Sequence, residues 1–310
     1  MGSFLISRYG IKLGLADIPS NRSSHIEVVP KGGGIGILLS FLFASIILNI
    51  EFKFLCSVFF ISILSFYGDK LEISPLFRLI VHLLGSLLII YNINFHDNFI
   101  LNLLIIFISV VFIAGTANFY NFMDGINGIA ALTGVICFSF VALYIHLNGT
   151  HYFFKILSIC LAFGCLGFLP FNLPKAKVFM GDVGSMLLGI CFGSFVIILS
   201  NSMVDFLCLI SFLFPFYADE LLTMLIRIKD GESLSRPHRR HLYQLFVNEL
   251  KFEHYKITIL YGLIQIIIST VFIFFKDYGL LTLFLLHLFF LGIFSFLFIK
   301  VRNKVQRLNI

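Results

Sequence analysis

Apolar residues in this chain fall in long blocks rather than in alternation. From about residue 35 onward, mostly apolar runs follow one another with short polar interruptions. A helix needs about 20 such residues to cross the hydrocarbon core of a bilayer. The blocks therefore predict spanning helices over about 35–50, 52–67, 77–93, 99–117, 126–147, 152–170, 183–200, 204–226, 255–275 and 278–299. The first two are short and closely joined, which suits a tilted or re-entrant path. The expected fold class is all-α: a polytopic transmembrane bundle of about ten helices. It forms one domain over residues 1–310, with a long basic loop at 227–254.

Composition supports lipid as the solvent. Apolar residues make up 59% of the chain, charged residues 12%, and mean hydropathy is +1.01. A soluble domain carries about 25% charged residues, and no aqueous fold of this size hides so much Phe, Leu and Ile. The six cysteines (Cys56, Cys137, Cys160, Cys165, Cys191 and Cys208) lie inside apolar runs without a C-x-x-C pair. They read as small buried hydrophobes rather than a disulfide or metal framework. The first residues hold Arg8 and Lys12 but no stretch long enough for a signal peptide, so the spans themselves are expected to direct insertion.

Charge then gives orientation. With ten spans both termini share a side, and nineteen of the 22 Lys and Arg residues fall on it. Only Lys53, Lys155 and Lys276 lie on the other. The positive-inside rule makes the basic side cytoplasmic. The formal charge of +6 thus reflects topology and gives no reason to expect a nucleic-acid partner.

The same alternation puts every unusual polar cluster on the basic side. Asn118-x-x-Asn121-x-x-Asp124-Gly125-x-Asn127-Gly128 separates two spans, and its oxygens suit a metal or the polar edge of a nucleoside. The plainer reading is a turn with Asp124 as an N-cap. Gly181-Asp182-x-Gly184-Ser185 opens another span; Asp182 suits Mg²⁺, and a locally bonded helix start competes with that reading. His238-Arg239-Arg240-His241-x-Tyr243-Gln244 follows Arg236 and offers guanidinium forks and imidazoles to a diphosphate, or alternatively to lipid headgroups. Asp69 and Glu72 share a turn that solvent alone would explain. Asp219 and Glu220 lie about two turns inside the span that ends near Arg227, where acids face a polar cavity or a partner. His82 and His287, isolated in apolar spans, read as packing residues.

With these residues in order, the chain resembles the bacterial polyprenyl-phosphate N-acetylhexosamine-1-phosphate transferases, glycosyltransferase family 4, which are related to the phospho-MurNAc-pentapeptide translocases. The likeness rests on Asp17-Ile-Pro19-x-x-Arg22-x-x-His25 with Pro30-Lys-Gly-Gly-Gly34, on Asn118–Gly128, on Met180–Ser185, and on His238–Gln244. It implies that a polyprenyl (undecaprenyl) phosphate attacks the β-phosphate of a UDP-N-acetylhexosamine, releasing UMP. Surface polysaccharide such as O antigen would start this way at the cytoplasmic face of a bacterial inner membrane. It also implies Mg²⁺ (or Mn²⁺) held by Asp182 with Asn121, and catalytic roles for Asp69, Asp124 and Asp182. Substrate contacts would come from His25, Asn118, Asn121, Asn127, His238, Arg239 and His241, and a homodimer is compatible with the family. The H-R-x-H-x-Y-Q form leans the donor towards UDP-GlcNAc or a deoxy relative such as UDP-FucNAc or UDP-QuiNAc.

Two departures stand out. The family pairs two aspartates where this chain has Gly68-Asp69, and it carries one more apolar helix ahead of the Asp17 motif, which here has sixteen residues before it. A phosphate monoester has its second pKa near 6 and is mostly dianionic at pH 7, so the acceptor needs positioning more than deprotonation. Alternatives are transfer of phospho-MurNAc-pentapeptide and, in another class, a secondary transporter with polar residues at the midplane. The D-G-x-x-A-R signature of CDP-alcohol phosphatidyltransferases is not met by Asp124–Gly128.

Overall fold

The structure is a computed structural model, and it describes residues 2–19, 24, 27–68, 73–91, 93, 95–234 and 238–308. A short helix, α1 (Gly2–Tyr9), precedes a two-stranded antiparallel ribbon, β1 (Ala16–Asp17) with β2 (Val29–Pro30). The apolar blocks then become α2 (Ile35–Ile47), α3 (Phe52–Gly68), α4 (Pro75–Ile90), α5 (Phe99–Phe122), α6 (Ile129–Asn148) and α7 (Tyr152–Asn172). These are followed by α8 (Asp182–Leu199), α9 (Met203–Ile210) running through a 3₁₀ turn into α10 (Phe214–Lys229), a short α11 (Leu242–Gln244), α12 (His254–Phe275) and α13 (Leu280–Leu308).

Among the described residues seven segments are long and apolar enough to cross a membrane, with α9 and α10 counted as one; α2, α3 and α4 are apolar but shorter. At about 1.5 Å per residue the 13 residues of α2 reach only about 20 Å, consistent with the short first span expected above. Large apolar side chains such as Leu281, Phe284, Leu288, Phe289 and Phe296 of α13 face outward. No aqueous interface would tolerate that surface, and the chain is a multi-pass membrane protein.

Helix α8 is the hub. It is 83% buried over its apolar window, against 11% for α13, and it packs against α2, α3, α4, α5 and α6. Small residues make this closeness possible: a methyl group on Gly189 would lie 2.6 Å from the Ala117 Cα of α5. In lipid, where apolar side chains gain nothing by leaving solvent, such backbone approach is what holds helices together.

Three boundaries differ from expectation. Helix α5 runs to Phe122 rather than residue 117, and the Asn118 side chain, now inside the helix, satisfies its amide on the Ala114 carbonyl (2.7 Å). The start of α6 is capped by Gly128 at φ 81°, whose N–H donates to the Asn172 side chain of α7 (2.5 Å), so Asp124 is not the N-cap. The predicted span over 204–226 is broken at Ser211–Leu213, where Pro215 follows and the Phe212 carbonyl accepts from Gln265 Nε2 (2.7 Å). Leaving that carbonyl unpaired would be costly in hydrocarbon.

At the end of the bundle away from the polar motifs, Asp205 of α9 accepts from Tyr144 of α6 (2.5 Å) and pairs with Lys276 beyond α12 (3.0 Å). Lys276 also donates to Asn148 (2.7 Å), so one half-buried cluster ties three helices. Replacing Asp205 with Asn removes the charge that Lys276 needs. Loss of about 1–3 kcal/mol is expected, seen as a lower thermal midpoint in detergent; an unchanged midpoint would mean that the cluster does not hold the helices.

Candidate active site

The N-terminal motif is stitched to the start of α8 through backbone. Gly32 and Gly33 donate to the Phe179 carbonyl (3.2 and 2.9 Å), Gly34 donates to Met180 (2.9 Å), and Phe179 donates to Pro30 (2.9 Å). Lys31 and Phe179 pair as an isolated parallel bridge. A methyl group on Gly34 would sit 2.5 Å from the Gly184 Cα, so a run of glycines is what lets these backbones touch. The β1–β2 ribbon continues from this junction and places Asp17 opposite Val29.

That junction fixes Asp182, the first residue of α8. Its carboxylate lies 3.6 Å from the Arg78 guanidinium near the start of α4. Arg78 in turn rests on Gly68: a Cβ there would lie 2.9 Å from the guanidinium carbon. Asp124, just past α5, is near enough to feel Asp182. Burial, and then the charge of Asp182, raise its carboxyl to about 7. Two carboxylates from distant parts of the chain thus share one region with an arginine beside them. Asn121 is in the last turn of α5, one turn along the same face from Asn118. Asn127 builds the turn: its side chain donates to the Pro174 carbonyl (3.2 Å) and its own carbonyl accepts from Thr258 (2.7 Å).

The basic loop is largely self-neutralised. Arg240 pairs with Asp230 (2.5 Å) and Glu232 (2.6 Å), Arg227 with Glu232 (3.3 Å), and Arg302 of α13 with Asp230 (2.7 Å). His238, Arg239 and Arg240 line a cleft of about 720 Å³ with Arg227 and Glu232. Burial, and then the neighbouring His241 and arginines, lower His238 to about 4. At neutral pH it is an uncharged hydrogen-bonding group, not a further cation. His241 lies inside the protein, 3.6 Å from Asp219 and 3.4 Å from Glu220, its ring stacked on Tyr243 at 5.5 Å. The Tyr243 hydroxyl donates to the Phe122 carbonyl (3.0 Å) and its ring lies over Gly125. The basic loop and the Asp124 turn are therefore in contact.

Comparison with known proteins now has a geometry to meet. Residues 52–200, which carry α3 to α8 with Asp124 and Asp182, match the model of glycosyl transferase family 4. The chain is thus similar to glycosyl transferase family 4 over just under half of its length. It is 28% identical over 257 residues to a probable undecaprenyl-phosphate N-acetylglucosaminyl 1-phosphate transferase of Bacillus subtilis (77% of this chain, 71% of the relative). It is 27% identical over 256 residues to an undecaprenyl-phosphate alpha-N-acetylglucosaminyl 1-phosphate transferase of Thermotoga maritima (79% and 77%). Over 159 residues it is 34% identical to a phospho-N-acetylmuramoyl-pentapeptide-transferase of Clostridium botulinum (49% and 47%).

Sequence reasoning passed over Arg78, counting it only as a loop cation. The available signal was an arginine one turn into an apolar helix, after the Ser74 cap and Pro75. His25 and Asp69, together with Arg22, Glu72 and Arg236, lie outside the described residues. The glycine junction generates a direct expectation. In Gly184→Ala the new methyl would lie 2.4 Å from Met180 Cγ and 2.8 Å from the Gly34 Cα, and the backbone cannot yield. Destabilisation of about 2 kcal/mol or more should follow, whereas Gly115→Ala, with nothing within 4 Å, should leave the thermal midpoint unchanged or slightly raised. Equal midpoints for both variants would rule out the close contact.

Proposed function

We propose that this chain is a phosphoglycosyl transferase. It moves an N-acetylhexosamine 1-phosphate from a UDP-sugar to polyprenyl phosphate at the cytoplasmic face of a bacterial inner membrane. The observation that carries the reading is the approach of Asp124 to Asp182, with Arg78 beside the latter and the basic loop resting on Gly125. The names of the relatives from Bacillus subtilis and Thermotoga maritima support the same reaction.

In that reaction a lipid phosphate oxygen forms a bond to the β-phosphorus of the UDP-sugar. The bond from that phosphorus to the bridging oxygen breaks, and UMP leaves with the electron pair. Both partners are anions, so positioning and neutralisation dominate. Arg78 supplies fixed positive charge at the mouth of the bundle. Arg239 and the neutral His238 donate hydrogen bonds from the cleft, and Asn118 and Asn121 offer amides to the nucleotide. Asp69 would stand beside the acceptor lipid, in line with the family resemblance. A lipid acceptor also explains why the enzyme is embedded in a membrane.

The donor set suits Mg²⁺ or Mn²⁺. Asp124 and Asp182 form a like-charged pair that a divalent cation would relieve, and Asn121 adds an amide oxygen. Among the described residues no three His, Cys, Asp or Glu side chains cluster, so substrate phosphates and water would complete the coordination. Bound there, the ion would neutralise charge on the diphosphate.

The basic loop and the relatives' names favour UDP-GlcNAc or a deoxy relative as donor, feeding O-antigen or other surface polysaccharide. The Clostridium botulinum match keeps UDP-MurNAc-pentapeptide as a second donor to test. The transporter reading loses its main support, because Asp219 and Glu220 face α11 and His241 instead of a central path. Purified protein with polyprenyl phosphate and a panel of UDP-sugars should release UMP, and Asp182→Ala should lower the rate by at least about a hundredfold. Wild-type-like turnover in that variant would remove the proposed role of Asp182, and absence of UMP release by the wild type with every donor would overturn the reading.

A further inference from the structure

Asp219 is the most completely enclosed acid among the described residues, at 0% exposure, yet it stands apart from Asp124 and Asp182 in sequence and touches neither the cleft nor solvent. Its carboxylate accepts the backbone N–H of Leu242 (2.8 Å) and of Tyr243 (3.3 Å), the Tyr261 hydroxyl of α12 (2.6 Å) and the Thr223 hydroxyl (3.3 Å). Four donors compensate the cost of removing a carboxylate from water. Two of them are the main chain that immediately follows His238–His241.

From this anchor a continuous set of contacts runs to the candidate active site. Asp219 and Glu220 flank His241, His241 stacks on Tyr243, and Tyr243 bonds to Phe122 and covers Gly125. His238 stands 4.8 Å from His241, ring to ring, and faces the cleft. Two histidines three residues apart therefore have different surroundings: His238 lines the open cleft, and His241 is a pin inside the protein.

We propose that Asp219 is a positioning residue that presents the 238–240 cleft and the Asp124 turn to one substrate, acting through the main chain of Leu242 and Tyr243 and through His241. The inference rests on the phosphoglycosyl transferase reading for its substrate, but not for the anchoring itself. Bonding to the main chain of Leu242 and Tyr243 gives the loop one fixed place relative to α10, and the Tyr243 bond to Phe122 fixes it relative to the Asp124 turn. An exposed loop carrying the same cations would serve for headgroup binding without such anchoring.

Asp219→Asn keeps the shape but turns one acceptor oxygen into a donor, so at least one of the buried donors loses its partner. Tyr261→Phe removes a single donor and leaves both main-chain bonds. Leu242→Pro deletes the main-chain N–H at a position where proline is tolerated, since Leu242 opens α11 and His241 already has φ −61°, ψ 146°. It provides a second route if Asp219→Asn does not fold. Two readouts are needed. The first is independent of substrate: the rate of tryptic cleavage after Arg239 and Arg240 in intact protein, read by mass spectrometry. The second is the KM for the UDP-sugar set against kcat.

Asp219→Asn and Leu242→Pro should raise the cleavage rate and the UDP-sugar KM by about tenfold or more each. Tyr261→Phe should lower the thermal midpoint and leave KM within about twofold. Asp205→Asn, at the far end, should do likewise. If Asp219→Asn lowers only the thermal midpoint, with cleavage and KM as in the wild type, the residue is merely structural and the proposal fails. It fails too if Tyr261→Phe raises KM as much. A wild type that releases no UMP would defeat the proposed reaction while leaving the proteolysis comparison to test the anchor.

Discussion

One close approach governs the rest of the molecule: the glycine backbone of residues 32–34 lies on the first turn of α8, with Gly34 against Gly184. In lipid, apolar side chains gain nothing by leaving solvent, and contact between backbones has to replace the hydrophobic effect as the source of specificity. The Asp182, Arg78 and Asp124 parts of the polar end are referenced to that contact. It fixes the entrance of α8, hence Asp182, and through Asp182 it sets where Arg78 of α4 can place its charge. The continuation of α8 past Gly189 against Ala117 then aligns α5, which delivers Asn118, Asn121 and Asp124.

A second framework is independent of the first and electrostatic. The charged loop after α10 would repel itself if its arginines stood alone, and Asp230 and Glu232 absorb Arg227, Arg240 and Arg302. This arrangement reinterprets a sequence feature. Three guanidiniums near two imidazoles resemble a strong anion trap, but Arg240 is committed to two carboxylates and His238 is held neutral by its surroundings. The cleft is therefore selective rather than simply cationic, and hydrogen-bond geometry at His238 and Arg239 has more weight than net charge.

Hydropathy made the helices legible, since lipid demands long apolar runs and leaves little else to decide. The sidedness of the loops followed from the same alternation, and so did the joint location of the Asn118, Asp182 and His238 motifs at one end. What the chain did not disclose were features set by tertiary partners. Asn118 reads as the start of a polar loop, whereas its side chain folds back on the Ala114 carbonyl and α5 runs on to Phe122. Asp124 looks like an N-cap, a place taken instead by Gly128 because Asn172 of α7 reaches its N–H. Arg78 reads as a loop cation until the empty side of Gly68 lets it turn towards Asp182. Asp219 and Glu220 were conspicuous as acids in an apolar span, but apart from Thr223 their partners, His241, Leu242, Tyr243 and Tyr261, lie more than twenty residues away, three of them in a segment with no periodicity.

These observations bear on what a glycine at position 68 does at the end of α3. The site already holds two acids, Asp124 and Asp182, close enough that one raises the pKa of the other. A third carboxylate at position 68 would have to share space with the Arg78 guanidinium, which a Cβ alone would touch at 2.9 Å. It would draw that guanidinium away from Asp182, because a carboxylate on the neighbouring helix would compete for the same fork. With glycine there, Arg78 stays beside Asp182 and the charge of the pair is partly balanced before any substrate or cation arrives. A phosphate monoester, already mostly dianionic at neutral pH, would gain more from such a positioned cation than from an additional base. The glycine at position 68 and the placement of Arg78 beside Asp182 are then two sides of one electrostatic arrangement.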